Sequence, residues 1–500
     1  MSVSDPQLRI AQLESELKWA HLKIQVLEER LRQQRIRMLG PQSETLSNLQ
    51  LELLADEEPS ATSDEVAAES RREPIERKPA RERQAHPGRE RLPENLPRVE
   101  KVIACTEQNC RKCGKQTEAM GYDISEQLDV EPARYLVRVI KREKRVCRGC
   151  EQGTVAMAPL PPRIVEKGLA SDRVVIETVV GKYCDHLPLY RQAVILEREA
   201  GLEIGRATLD GWVMRVGELL IPVVEAMRKD LLGGSYIQAD ETTVPVQMHD
   251  RRGKDHEAYL WQYGKPGGET VFDFCLHRGR EGPKRFLGNW EGILQTDGYQ
   301  AYDGIGGPEL VHVGCWTHAR RKFVDAVKVD PQDGEAIKMV TRMDALFLVD
   351  RDARKKEMSA TERLAHRREL AEPWMMEIRQ ECERLRGLTL PKSALGKAIT
   401  YTLSQWKKLA RCLEYEEVEL SNNVAENSMR GVALGRKNWL HVGSVKAGPK
   451  VAAILSVVES CRRIGAPVKE YLAAVLPGLD RRMLSEVANL TPARWFAARG

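Results

Sequence analysis

Two stretches of this chain follow one rule. Tyr236-Ile-Gln-Ala-Asp240, continuing through Glu241-Thr-Thr-Val-Pro-Val246, and Ile293-Leu-Gln-Thr-Asp297 each run two mostly apolar residues, a Gln, a small residue and an Asp. Such runs read as buried β-strands that deliver a carboxylate at their ends, and Gly298 permits a sharp exit from the second. A third acid arrives on a helix. In Ser421-Asn-Asn-Val-Ala-Glu426-Asn-Ser-Met-Arg430, Ser421 is a candidate N-cap, and Asn422, Glu426 and Arg430 recur every fourth residue along one helical face.

Three carboxylates in one cleft raise one another's pKa unless a cation of high charge density sits among them. Hard oxygen donors with room for water suit Mg²⁺ or Mn²⁺, and two such ions about 3.5–4 Å apart stabilise both the attacking and the leaving oxygen of a phosphodiester. A single Asp after a strand is ordinarily a turn residue. Asp240, Asp297 and Glu426 together point instead to a metal-dependent site.

At 500 residues the chain has room for several domains, and its 42% hydrophobic content allows a sizeable core. The net charge of +5 is small, so a case for nucleic acid has to rest on local basic patches. The N-terminus lacks a secretory apolar stretch, and no run approaches the roughly 20 apolar residues of a membrane span, so the expected location is cytoplasmic, with no membrane partner. The 11 cysteines are then expected as thiols or metal ligands rather than disulfides.

Residues 1–40 place Ile10, Leu17, Ile24, Leu31 and Met38 at one heptad position and Leu13, Ala20, Leu27 and Gln34 at another. This reads as a coiled coil of about four heptads and a route to a homo-oligomer; the alternative is one amphipathic helix packed on its own protein. Residues 41–98 form a charged linker, acidic first and then arginine-rich, with too few large apolar residues for a core. In 99–155, Cys110-Arg-Lys-Cys113 and Cys147-Arg-Gly-Cys150 are paired knuckles whose four thiolates can close a structural Zn²⁺ site, with Cys105 as a spare ligand. Cys184, Cys275, Cys315, Cys382, Cys412 and Cys461 are scattered and read as core packing.

Residues 156–232 read as helices, with a break at Gly201 between two that follow helix-turn-helix grammar, either a DNA-binding domain or plain scaffolding. The core begins in 233–328 with strands near 235–239, 258–263, 270–274, 292–296 and 310–313, which make a mixed five-stranded sheet flanked by helices, a multidomain α/β chain. Residues 329–420 are a helical insertion that covers the cleft, holds DNA or simply stabilises; 421–445 return to the core with Glu426; 446–500 form a C-terminal helical segment. Arg320, Arg321 and Lys322, and on the later helix Arg430, Arg436 and Lys437, are the candidate DNA contacts. His318 beside them reads as structural.

On these residues, the chain resembles the insertion-sequence 66 family of bacterial transposases along nearly its whole length. The likeness is carried by Arg91-Leu-Pro-Glu-Asn-Leu-Pro-Arg98, the paired knuckles, Asp185-His-Leu-Pro-Leu-Tyr-Arg191, Ala239-Asp-Glu-Thr242, Thr296-Asp-Gly-Tyr-Gln-Ala-Tyr302, Cys315 to Phe323, Asn422-Asn-Val-Ala-Glu-Asn427 and Gly435-Arg-Lys-Asn-Trp-Leu440. The resemblance implies that Asp240, Asp297 and Glu426 are the DDE triad of an RNase H-like fold interrupted by a helical insertion. It implies DNA as partner, both transposon ends and target, and relatives encoded beside two small accessory proteins. Thr317 and His441 depart from the family's usual Ala and Phe and leave the three acids in place. The chemistry implied is cleavage by water at an element's end, then attack of the freed 3′-hydroxyl on target DNA, with two Mg²⁺ ions shared by the triad. The competing readings are an RNase H-like nuclease that only hydrolyses, and a catalytically silent zinc and coiled-coil DNA-binding regulator.

Overall fold

The structure, a computed structural model, describes residues 135–146, 155–248 and 255–499. The coiled coil expected at 1–40, the linker at 41–98 and the four cysteines Cys110, Cys113, Cys147 and Cys150 lie outside the described residues.

A short antiparallel ribbon, β1 (Lys144–Val146) against β2 (Val155–Met157), precedes three helices, α1 (Asp172–Tyr183), α2 (Leu189–Ala200) and α3 (Arg206–Leu232). The break between α2 and α3 falls at Gly201, as its sequence suggests. The third helix is far longer than a short reader helix. It runs 27 residues and buries Leu209, Trp212, Val213, Val216, Leu220, Val223 and Met227 at helical spacing, so its apolar stripe belongs to the core.

The sheet is mixed and five-stranded. β3 (Tyr236–Val246), β4 (His256–Gly264) and β5 (Thr270–Cys275) are antiparallel; α4 (Glu281–Leu287) then crosses to β6 (Ile293–Gln295) and β7 (Val311–Val313), giving the order β5-β4-β3-β6-β7. Asp240 does not end its strand. Pairing with β4 carries β3 on to Val246, whereas the parallel ladder with β6 stops at Gln238 opposite Gln295, so Asp240 lies just past that shorter ladder.

Alternate residues of a strand face opposite sides, and both sides of this sheet are covered. Ile237 and Leu294 enter one core with α3; Tyr236, Ile293 and Val313 enter another. The second core is filled by α5 (Trp316–Val329), α6 (Gly334–Lys355), α8 (Glu372–Arg386) and α9 (Ala394–Ser404), with α7 (Ala360–His366), a π-helical turn at Arg367–Ala371 and α10 (Trp406–Ala410) around it. Met339, Met343, Leu346, Ile378, Cys382 and Ile399 are among its buried side chains.

The chain then returns as α11 (Asn423–Trp439) and α12 (Gly448–Ile464), and closes with α13 (Val468–Val475), α14 (Leu484–Val487) and α15 (Pro492–Ala497). α12 is apolar because it is wedged between α3 and β5. It also satisfies that edge strand: the Thr270 N–H donates to Ser460 Oγ at 2.9 Å and the Phe272 N–H to Ser456 Oγ at 2.8 Å. Among the described residues no helix is long and apolar enough to cross a membrane.

Candidate active site

Asp240, Asp297 and Glu426 come from three separate elements. Asp240 shares its side of β3 with Tyr236 and Gln238, and its Oδ1 accepts the Glu241 N–H at 2.9 Å. Asp297 follows β6, its Oδ1 accepting the Tyr299 N–H at 2.8 Å in a tight turn that Gly298 enters at φ 89°. The Tyr401 hydroxyl of α9 donates to the Asp297 carbonyl and so ties the turn to the second core. Glu426 sits in the first turn of α11, where the helix dipole favours an anion. The cap is Asn422 rather than Ser421: Asn422 is fully buried, and its Nδ2 donates to the Ala239 carbonyl at 3.4 Å, beside Asp240.

Asp240 lies close enough to both other acids to feel their charge. Burial first, then the charges of Glu241, Asp297 and Glu426, push the Asp240 carboxyl well above the usual carboxylate range. Arg321 and Arg278 offset part of this charge at Glu426 and Glu241, and the carboxylate oxygens of Asp240 and Asp297 are hard donors of the kind a divalent cation takes.

The repeated glutamines hold this arrangement, a role that strand patterning alone leaves unassigned. Gln238 and Gln295 are register partners on adjacent strands, and Gln238 Nε2 donates to Gln295 Oε1 at 2.9 Å. Gln238 Nε2 also reaches the Ser421 carbonyl at 3.0 Å, while Gln295 Nε2 donates to the carbonyls of Glu419 at 2.7 Å and Gly314 at 3.1 Å. One pair of buried amides therefore joins both Asp-bearing strands to the segment leading into Glu426 and to the residue before Cys315. A signal for it is present in the chain: a Gln two places before each Asp, inside an apolar run, needs buried partners.

Glu241, on the opposite side of β3 from Asp240, is a fourth acid. Arg278 donates to its Oε1 from Nη2 at 2.7 Å and Nε at 3.1 Å, and the Tyr302 hydroxyl to its Oε2 at 2.9 Å. Burial, then the charge of Asp297, raises its pKa, and these partners oppose the rise.

The expected DNA-contact bases divide into two kinds. Arg320 pairs with Asp344 at 2.6 Å, Arg321 donates to Glu426 Oε2 at 3.0 Å, and Arg436 donates to the Thr243 carbonyl at 2.6 Å, fastening α11 to β3. These three are engaged within the protein. Lys322, Arg430 and Lys437 are exposed, and Lys322 lies 5.8 Å from the Tyr401 ring centre. Cys315 and His318, which by sequence are packing and structural residues, both lie against Glu426: the donor atoms of the three are within 4.8 Å of one another. Burial, and then the nearby cations, lower the His318 pKa against the pull of Glu426 and Asp297.

Comparison with known proteins supplies the family. Residues 167–450 match the family model described as Transposase IS66 family, residues 107–151 the zinc-finger binding domain of transposase IS66, and residues 26–100 the model described as Transposase C of IS166 homeodomain. The zinc-finger match supports a structural Zn²⁺ in that segment. The chain is 32% identical to the uncharacterized protein y4jD of Sinorhizobium fredii over 81% of its own length and 82% of that protein's. It is 30% identical to y4hP of the same organism over 95% of its length and 89% of the relative's. With more than half of its residues inside one family model, the chain belongs to the IS66 transposase family and is a DNA-modifying enzyme by that membership.

Proposed function

We propose that this chain is a DDE transposase that cleaves DNA at insertion-sequence ends and transfers the freed strand into target DNA, on an RNase H-like core. The observation that carries the reading is that the turn after β6 and the first turn of α11 bring Asp297 and Glu426 near enough to buried Asp240 on β3 for their charges to add to burial in raising its pKa. The sheet supports the RNase H-like assignment, with three antiparallel strands, two parallel ones, and acids on the central strand and after its parallel neighbour.

Asp240, Asp297 and Glu426 would hold two Mg²⁺ or Mn²⁺ ions, which supply the positive charge that the attacking and leaving oxygens of a phosphodiester require. The chain's own work is positional. The Gln238–Gln295 pair fixes the two strands, Asn422 ties the start of α11 to β3, and Arg321 holds one oxygen of Glu426. Lys322, Arg430 and Lys437, exposed on α5 and α11, are the bases free to meet DNA phosphates. Cys110, Cys113, Cys147 and Cys150 are proposed as the ligands of the structural Zn²⁺, and the N-terminal heptads as a route to self-association.

The test is Asp297→Asn in purified full-length protein with linear DNA bearing the element's ends. Loss of both cleavage and strand transfer, with end binding nearly intact, is expected. Strand joining at the wild-type rate would end the assignment.

A further inference from the structure

We propose that Cys315, His318 and Glu426 form a second cation site, selective for a borderline-soft divalent ion, Zn²⁺ above all. Cys315 caps α5 and His318 comes three residues later, so both present their side chains at the same end of the helix, toward the first turn of α11. The donor atoms lie within 4.8 Å of one another, and His318 Nδ1 stands 3.5 Å from Glu426 Oε1. Two ligands at zinc's usual bond lengths in a tetrahedral site are about 3.4 Å apart, so that pair already has the required spacing.

Three further details favour a cation over plain packing. His318 Nδ1 and Glu426 Oε1 are shut off from solvent, and neither makes a hydrogen bond. Buried polar atoms without partners are uncommon, and a cation between these two would satisfy both. Arg321 engages Glu426 through Oε2, leaving Oε1 available. The Cys315 sulfur receives backbone N–H groups of Asn422, at 3.5 Å, and of His318 and Thr317, an environment that stabilises a thiolate ligand. These contacts only partly oppose burial, which pushes the thiol up to about 12, so metal binding is what releases the proton.

Sulfur and imidazole select a softer ion than the carboxylates of Asp240 and Asp297, and three protein ligands leave a fourth position open. Arg321 Nη1 lies within donating distance of His318 Nε2, at 3.3 Å; with Nδ1 on the cation, Nε2 carries the ring proton, so this contact is given up while Arg321 keeps its bond to Glu426. Given the transposase reading, Glu426 serves both sites, and Zn²⁺ here withdraws it from Mg²⁺-dependent chemistry.

The test counts metal. Full-length wild type, Cys315→Ser and His318→Ala are dialysed against Zn²⁺ and analysed for bound zinc, with circular dichroism reporting the fold. Each folded variant is expected to bind one Zn²⁺ fewer than wild type, any zinc held by the cysteine knuckles cancelling in the difference. If the buried Cys315→Ser substitution disrupts the fold, His318→Ala alone decides. Equal zinc content in wild type and folded His318→Ala overturns the site. A wild type that binds the additional Zn²⁺ yet, once stripped of it, never joins strands in Mg²⁺ upholds the site and defeats the transposase reading instead.

Discussion

Asp350 and Asp240 are both carboxylates withdrawn from solvent, and their surroundings pull them in opposite directions. Asp350 lies on α6 opposite the fully buried Arg367 of the π-helical turn, which donates from Nε at 2.8 Å, while Arg354 donates from Nε at 3.1 Å. Burial alone would raise the Asp350 pKa, but these guanidiniums more than cancel it and the carboxyl stays below its usual range. Asp240 meets burial and three further acids, with the Glu241 backbone N–H in opposition. The chain thus supplies its own counter-charge where a buried acid is architectural. Near Asp240 it gathers more negative charge, the arrangement expected where the balancing cation comes from outside.

The sharpest way to break this contrast is to remove the architectural acid. Asp350→Ala strands Arg367 without its carboxylate and is expected to cost about 3–5 kcal/mol of stability, measured by urea unfolding. A loss under about 1 kcal/mol would show that the pair is not a structural anchor.

A smaller effect is expected from the amide pair that aligns the carboxylates. Gln295→Leu leaves the Gln238 amide short of a partner and two carbonyls unbonded, at about 1–3 kcal/mol. Strand transfer should fall while end binding, read by gel shift, is retained. Unchanged activity in a folded variant would separate the amide pair from the site.

The smallest effect concerns pH. Folded protein keeps the Asp240 proton where the unfolded chain has already released it, so Asp240 contributes a penalty absent below the ordinary carboxylate range. That penalty grows as pH rises toward the raised pKa, by at most about 1.4 kcal/mol per pH unit. Thermal melts of metal-free wild type should show this decline relative to Asp240→Asn, and Mg²⁺ should reverse it in wild type only. Parallel pH profiles for the two proteins would remove the contrast.

The strand-borne acids are legible in the sequence because strand periodicity and a repeated short pattern survive in one dimension. The five strands are likewise readable, since β-rich runs between turn signals mark them, although the long β4 partner carries β3 beyond Asp240. Other features depend on distant partners. Nothing near Arg321 announces Glu426, and nothing near Arg436 announces Thr243, so both read as free bases. Cys315 looks like one more buried thiol because its neighbours His318 and Glu426 come together only when α11 folds back beside α5. Ser421 is as suited by type to cap α11 as Asn422 is; what distinguishes Asn422 is a side chain that tethers a neighbouring strand, and that strand is far away in the chain.

The serines of α12 have an effect beyond local satisfaction. By taking the Thr270 and Phe272 amides of β5, they occupy groups that an added strand would need, and on the far margin Arg411 occupies the His312 carbonyl while the Gly314 N–H is taken by the Lys408 carbonyl. Among the described residues, a strand approaching either margin of this sheet would find these edge groups already engaged. Under the transposase proposal, any contact between copies would then fall to side-chain surfaces or to segments elsewhere in the chain, leaving the sheet's own ladder untouched.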